Sequence, residues 1–402
     1  MGVVEKIVFP YRLPLQSQSR ERTAIFFGTD FYNLPAGSNH ELFIERTDEM
    51  LAFMRRHLPN TRLLYQPHPN ETDEYTKLDL QGFTVGKKII AEALLSENAL
   101  NVVFALSACS GASLSAYQMG FNAAVAIDLL HGAVPEEVIV GYRSYFGSAP
   151  ENFFLQSLDD LPVRRPVAEA DETHAIRSIQ NAIGSAKKLW VLIQSPSFMV
   201  QAALIVRYAR EVNPNLEAGI LKIGSRRWEV SPAFDTLESG FNETILVRDR
   251  RILYSARPLR LLEATFATFR IFRLPIRKGD AVVSFCYTMF EEDCLISYHK
   301  RKARMIGFIE SRWYHFTFVD QGKNLPKSEF RTPRGAFAFA WFLEPLLGLY
   351  RTVTREYKDG RVINFFRYRA PLESVYDTAF VLMPDDHFGD AKVVTSAYTP
   401  LT

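Results

Sequence analysis

Asn101-Val-Val-Phe-Ala-Leu-Ser107 runs into Ala108-Cys-Ser110-Gly-Ala-Ser113 and then into Leu114-Ser-Ala-Tyr-Gln-Met119. The first stretch is almost wholly apolar and does not alternate, which predicts a strand buried on both faces. The small residues after it predict a tight turn, and Leu114 to Met119 predicts a helix. Ala123 to Leu129 then opens a further apolar strand. A strand, a helix and a second fully apolar strand in so short a space predict a parallel pair joined by a crossover.

The same rhythm extends outward. Thr23 to Gly28 is a short apolar run ending in glycine and reads as a buried strand. Glu41 to His57 has helical spacing, with Leu42, Phe43, Met50, Leu51 and Met54 on one side. Arg62 to Tyr65 is a strand stopped by prolines, and Lys87 to Leu95 reads as a helix. Downstream, Leu158 to Pro166 and Glu169 to Glu172 are polar, contain proline and read as a linker. A second α/β series follows, with strands at Leu189–Ile193, Ala218–Ile223, Glu243–Val247, Ala281–Phe285 and Phe316–Val319 and a helix at Phe198–Glu211. The expected organisation is a Rossmann-like domain over 1–160, a linker over 161–180 and a second Rossmann-like domain over 181–402. The fold class is α/β.

Composition excludes several alternatives. Among 402 residues, 47% are hydrophobic and 23% charged, which rules out disordered, collagen-like and disulfide-scaffold chains. Three cysteines in such a length predict a reducing compartment, and the opening residues lack a basic-then-apolar leader, so a cytoplasmic location is expected. Residues 1–165 carry a net charge of −5 and the remainder +7, which predicts that the second half meets something anionic. Within it, 257–278 interleaves arginines with Leu259, Leu262, Phe266, Phe269 and Phe272, the look of a helix lying on an anionic membrane or of a surface helix with a buried face. Peripheral contact with the inner membrane is therefore one expectation. Phe337 to Tyr350 reads as a core or dimer-face helix anchored by Trp341 and Phe342, which makes a homodimer a candidate assembly. Nucleic acid is not an expected partner, because the basic residues are spread over several elements and form no recognised reading module.

Two turns carry chemistry. In Gln66-Pro67-His68-Pro69-Asn70-Glu71 the prolines fix φ on both sides of the histidine and hold it at the carboxyl end of a parallel strand, where open α/β sheets bind ligands. A histidine there can protonate a phosphate leaving group. The plain reading is a loop histidine between two prolines. In the second turn, Ser107, Ser110 and Ser113 surround small residues that let a backbone approach a phosphate, or that merely let a helix pack closely on its sheet. The turn lacks the lysine and spacing of a P-loop and the glycine spacing of a dinucleotide site.

Taken together, the Tyr65 to Glu71 turn and the serine turn some forty residues later resemble bacterial sialyltransferases of GT-B fold, in which two Rossmann-like domains face each other across a cleft. The resemblance implies that His68 is the general acid on the CMP leaving group. It also implies that Ser110, with Ser113 or Ser107, binds the CMP phosphate, and that Pro69 of the His-Pro turn belongs to the same CMP-binding set. A glutamate that holds the cytidine is implied at Glu92, within Ile90-Ala91-Glu92-Ala93-Leu94, with Glu97 as the rival. Phe318-Val319-Asp320-Gln321-Gly322 resembles the family's acidic motif, which implies Asp320 as the general base; a strand-end aspartate in an ordinary turn is the plain reading. Ile193 to Ala202 and Val375 to Pro384 resemble the first and final strands of the acceptor domain. The two domains stand in reversed order relative to that family.

The activity so implied is an inverting, metal-independent transfer of sialic acid from CMP-sialic acid to a hydroxyl of a surface glycan. The expected partners are a CMP-sugar donor and an oligosaccharide or glycolipid acceptor, with no resident cofactor. Transfer of another CMP-activated acid sugar such as Kdo, and a catalytically silent nucleotide-binding assembly protein, are the alternatives.

Overall fold

The computed structural model describes residues 2–11, 21–29, 34, 37–68, 71, 77–87, 89–97, 101–146, 149–159, 161–162, 169–194, 198–224, 235–249, 266–267, 269–285, 290–310 and 376–383. Within them lie two sheets, each wholly parallel. The smaller contains β2 (Thr23–Phe27), β3 (Arg62–Gln66), β4 (Phe83–Val85), β5 (Val102–Ser107) and β6 (Ala123–Val125), in the order β4-β3-β2-β5-β6. The larger contains β1 (Val3–Val8), β7 (Lys188–Ile193), β8 (Glu217–Gly224), β9 (Glu243–Asp249), β10 (Ala281–Ser284), β11 (Arg304–Glu310) and β12 (Thr378–Met383), in the order β1-β12-β11-β10-β7-β8-β9. From β9 to β12 this is the 3-2-1-4-5-6 order of a doubly wound sheet, and the smaller sheet is the same pattern one strand shorter. The α/β class with Rossmann-like parallel sheets is thus present.

Local chemistry accounts for the elements. All five residues of β2 are buried, as a central parallel strand requires. In β7, Leu189, Val191 and Ile193 join an apolar cluster on one face, while Trp190 and Leu192 join a second cluster on the other. Helix α1 (His40–His57) begins where the Asn39 side chain accepts a hydrogen bond from the Leu42 amide, at 3.2 Å, and ends in a basic turn that suits its dipole. Helix α2 (Ala91–Glu97) packs on α6 (Met199–Val212), and the first apolar cluster runs without interruption from the smaller sheet onto one face of the larger.

Three features depart from the sequence reading. Strand β1 lies within the range expected for the first domain, yet it pairs along its full length with β12 of the larger sheet. Residues expected as linker over 161–180 contain most of helix α5 (Glu169–Ile183). Its first turn is acidic and resembles loop, but Ala175, Ile176, Ile179, Ala182 and Ile183 repeat at helical spacing and are buried. The strand expected over Ala123–Leu129 stops at Val125 and continues as a short 3₁₀ turn, Ile127–Leu130. The expected elements at 316–319 and 337–350 lie outside the described residues.

Packing between β7 and β8 is close. Trp190 is fully buried and stands opposite Gly219, where a Cβ would lie 2.6 Å from the indole. The indole N–H points to Asp280, at 3.3 Å, so the ring is held from its polar edge as well. Gly219→Ala should therefore force the indole or the strand to move. The expected cost is about 1–3 kcal/mol, read as a lower urea midpoint with an unchanged slope.

Candidate functional site

Open parallel sheets bind ligands at the carboxyl ends of their strands, where the strand order reverses. In the smaller sheet that point lies between β2 and β5. There Gln66 of β3, Phe27 of β2 and Ser107 of β5 stand in one registered row. Beyond the row the chain continues as Pro67-His68, as Gly28-Thr29 and as Ala108-Cys109-Ser110. The His68 and serine turns are thus two strands apart, about 10 Å at ordinary strand spacing, with Gly28 between them.

The serine turn is tied internally. Ser107 Oγ and Ser113 Oγ are 2.8 Å apart, and both residues are fully buried. Ser107 Oγ also accepts from the Ser110 amide at 3.0 Å. Ser110 is the N-cap of α3 (Gly111–Gln118); its Oγ accepts from the Ala112 amide at 3.3 Å and remains half-buried. The arrangement divides the three hydroxyls: Ser107 and Ser113 shape the turn, and Ser110 stands at its surface beside the helix N-terminus. That is suitable geometry for an anion.

The histidine turn is held by a residue that the sequence reading quoted but assigned no role. Glu71 is fully buried. One carboxylate oxygen accepts from the Tyr65 hydroxyl and the other from the His68 amide, both at 2.8 Å. The Glu71 amide in turn donates to the His68 carbonyl at 2.9 Å. Gly28 leaves room for this lock, since a Cβ there would lie 2.5 Å from the Glu71 carboxylate and 2.7 Å from the Tyr65 hydroxyl. Gln66 forms a second tie: its amide nitrogen donates to the carbonyls of Lys87 and Ile89, fixing the segment that leads into α2.

Glu92 on α2 accepts from Ser115 on α3 at 2.8 Å, so the expected cytidine-side glutamate is joined to the helix that the serine turn begins. Cys109 lies within the turn beside Thr29. Burial pushes its thiol up to about 11, against hydrogen bonds to Thr29 and Tyr142 that act the other way. Next to β6, Arg143 is paired with Asp128 and Glu151 and stacks on Phe154; its hydrogen bonds to those carboxylates raise its pKa further, so it remains a cation. Among the described residues no group of three or more His, Cys, Asp or Glu side chains could hold a metal ion.

The structure therefore brings Ser107, Ser110, Ser113 and His68 to one end of one sheet and links Glu92 to the same helix pair. Asp320 and Pro69 lie outside the described residues, as does the side chain of Glu97. The signal for Glu71 was its fixed place at the end of the His-Pro turn, but a carboxylate there reads as solvated until its partners are known. No protein-family model, no curated protein and no solved structure matches this chain.

Two outcomes are expected. Glu71→Ala removes both bonds of a buried carboxylate and should cost about 1–3 kcal/mol, whereas Tyr65→Phe removes only one of them and should cost less; urea unfolding of the pair measures the difference. Cys109 should resist alkylation at pH 8 in the folded chain and react once unfolded, which peptide mapping after maleimide labelling will show.

Proposed function

We propose that the chain is an inverting glycosyltransferase of the sialyltransferase kind, transferring sialic acid from CMP-sialic acid to a sugar hydroxyl of a surface glycan. One observation carries the reading: a rigidly held His68 and a helix-capping Ser110 flank the strand-order reversal of one parallel sheet. Their spacing suits a nucleotide whose phosphate rests at the α3 N-terminus with its leaving oxygen toward the imidazole. The second Rossmann-like sheet supports the finer proposal that the acceptor binds in a cleft between the two units, in GT-B manner.

In this mechanism the acceptor hydroxyl attacks the anomeric carbon of the sialic acid from the face opposite the CMP. The new C–O bond forms as the bond to the CMP phosphate oxygen breaks. A base takes the acceptor proton; the sequence offers Asp320 for that role. Protonated His68 gives a proton or a hydrogen bond to the departing phosphate oxygen, while Ser110 and the first amides of α3 stabilise its charge. Ser107, Ser113 and Glu71 act by positioning these groups. Glu92 is the proposed partner of the cytosine.

The reading is tested by thermal unfolding with CMP, CDP, UMP, UDP, GDP and ADP. Cytidine nucleotides alone should stabilise the chain, by about 2.7 kcal/mol at a hundredfold excess over Kd. Stabilisation by uridine nucleotides alone, or by none of the panel, would overturn it. With CMP-sialic acid and an acceptor glycan, His68→Ala should lower kcat by about 10²- to 10⁴-fold and leave CMP affinity nearly unchanged.

A further inference from the structure

The described residues expose eight large apolar side chains, and the three aromatic ones, Phe266, Phe269 and Phe272, all lie at helical positions within seven residues of sequence. Phe266, Phe269 and Phe272 are each more than half exposed, at 54%, 53% and 59%. Their spacing of three residues puts them along one side of the segment, while Ala267 and Ile271 turn inward and are fully buried. Phe272 is braced edge-on against Tyr298, with ring centroids 5.2 Å apart, so at least this ring has a defined seat. An isolated exposed phenylalanine requires no explanation; three aligned on a short helix do.

Within the segment itself the charge is of one sign. From Ala264 to Gly279 the sequence contains Arg270, Arg273, Arg277 and Lys278 and no acidic residue. The next residue, Asp280, faces inward, accepting from the Arg277 amide at 2.8 Å and from Trp190. The fold then adds cations that are remote in sequence. The Lys187 amide donates to the Gly279 carbonyl at 3.0 Å, and the Gly279 amide donates to the Lys302 carbonyl at 3.2 Å. These two bonds bring three basic turns together at the amino-terminal edge of the larger sheet. Lys187, Arg277, Lys278 and Lys302 are all exposed there.

We propose that this face docks on an anionic lipid bilayer, with the three phenylalanines entering the headgroup boundary and the basic turns contacting the lipid charges. Exposed aromatics in a segment that runs into a row of exposed basic turns match both parts of such a surface: apolar area enters the interface, and each cation adds attraction to negative headgroups. Duplex DNA, whose bases are already stacked, would use the cations but leave the phenylalanines idle. The inference is independent of the proposed transferase activity, since the face lies at the opposite end of the strands from the carboxyl-end loops that bind ligands in such sheets.

The test is flotation of the full chain with vesicles of phosphatidylcholine alone and of phosphatidylcholine with about 30 mol % phosphatidylglycerol. Binding is expected only to the anionic vesicles and should weaken as salt is raised. R277Q/K278Q alters exposed residues and should keep the native unfolding midpoint, and F266S/F269S/F272S should lower it only by the lost contact of Phe272 with Tyr298. Each should weaken vesicle binding by about tenfold or more. Failure of the native chain to float with anionic vesicles would overturn the proposal, as would binding that neither variant weakens. Retention on duplex DNA without vesicle binding would reassign the face to nucleic acid. A dimer that the phenylalanine variant turns into a monomer would reassign it to contact between copies. Should the triple variant fold poorly, the charge variant decides alone.

Discussion

A parallel strand covered on both faces has only its ends left to meet solvent. That constraint governs the whole molecule. Among the described residues every pairing of the twelve strands is parallel, and a parallel pair needs a connection that crosses the sheet through a helix or long segment. Side chains on the faces are committed to the core, as Trp190 and Tyr65 illustrate by being wholly buried. Chemistry is therefore left to the loops at the strand ends, and the strand order leaves an opening among those loops where neighbouring connections leave toward opposite faces.

The candidate site depends on two small polar locks placed in that opening. In one, a buried carboxylate receives a phenol and a main-chain amide; in the other, two buried hydroxyls meet and one also receives an amide. The side chains that make the locks, those of Tyr65, Glu71, Ser107 and Ser113, are all buried. Each lock converts a loop that would otherwise sample many conformations into a fixed edge, which is what a neighbouring reactive group needs in order to meet a substrate in one orientation. The same economy appears at Gly28, where the absence of a side chain makes room for the carboxylate.

Much of the architecture was legible in the sequence where burial is uniform. The runs at Thr23–Phe27, Val102–Ser107 and Lys188–Ile193 are apolar on both faces and admit little but a central strand. Strand β1 was harder to read, because Glu5 and Lys6 interrupt its apolar residues. Glu5 is nonetheless buried, accepting from Ser178 at 2.7 Å and facing His174 at 2.9 Å, both on α5. A charge whose partners lie some 170 residues away looks solvated in a linear reading. The acidic start of α5 misleads for the related reason that helix caps and loops favour the same residues. At the site, the short motifs located His68 and the serine turn, but the division of labour among the three serines and the lock on Glu71 follow from contacts that no local pattern encodes.

The pairing of β1 with β12 bears on how the chain acquires its structure. Val3 faces Thr378, and the register continues to Val8 opposite Met383. Strand β1 must wait for the whole of the intervening chain to be made before its neighbour exists. The smaller sheet, complete by Val125, can form early from contacts of modest sequence separation, whereas the edge of the larger sheet closes last and slowly. Until then β11 offers an unpaired edge of the kind that recruits strands from other molecules. A sheet that joins strands so far apart in the chain therefore leaves β11 open for as long as β12 is missing, and that edge is where association with other copies would start.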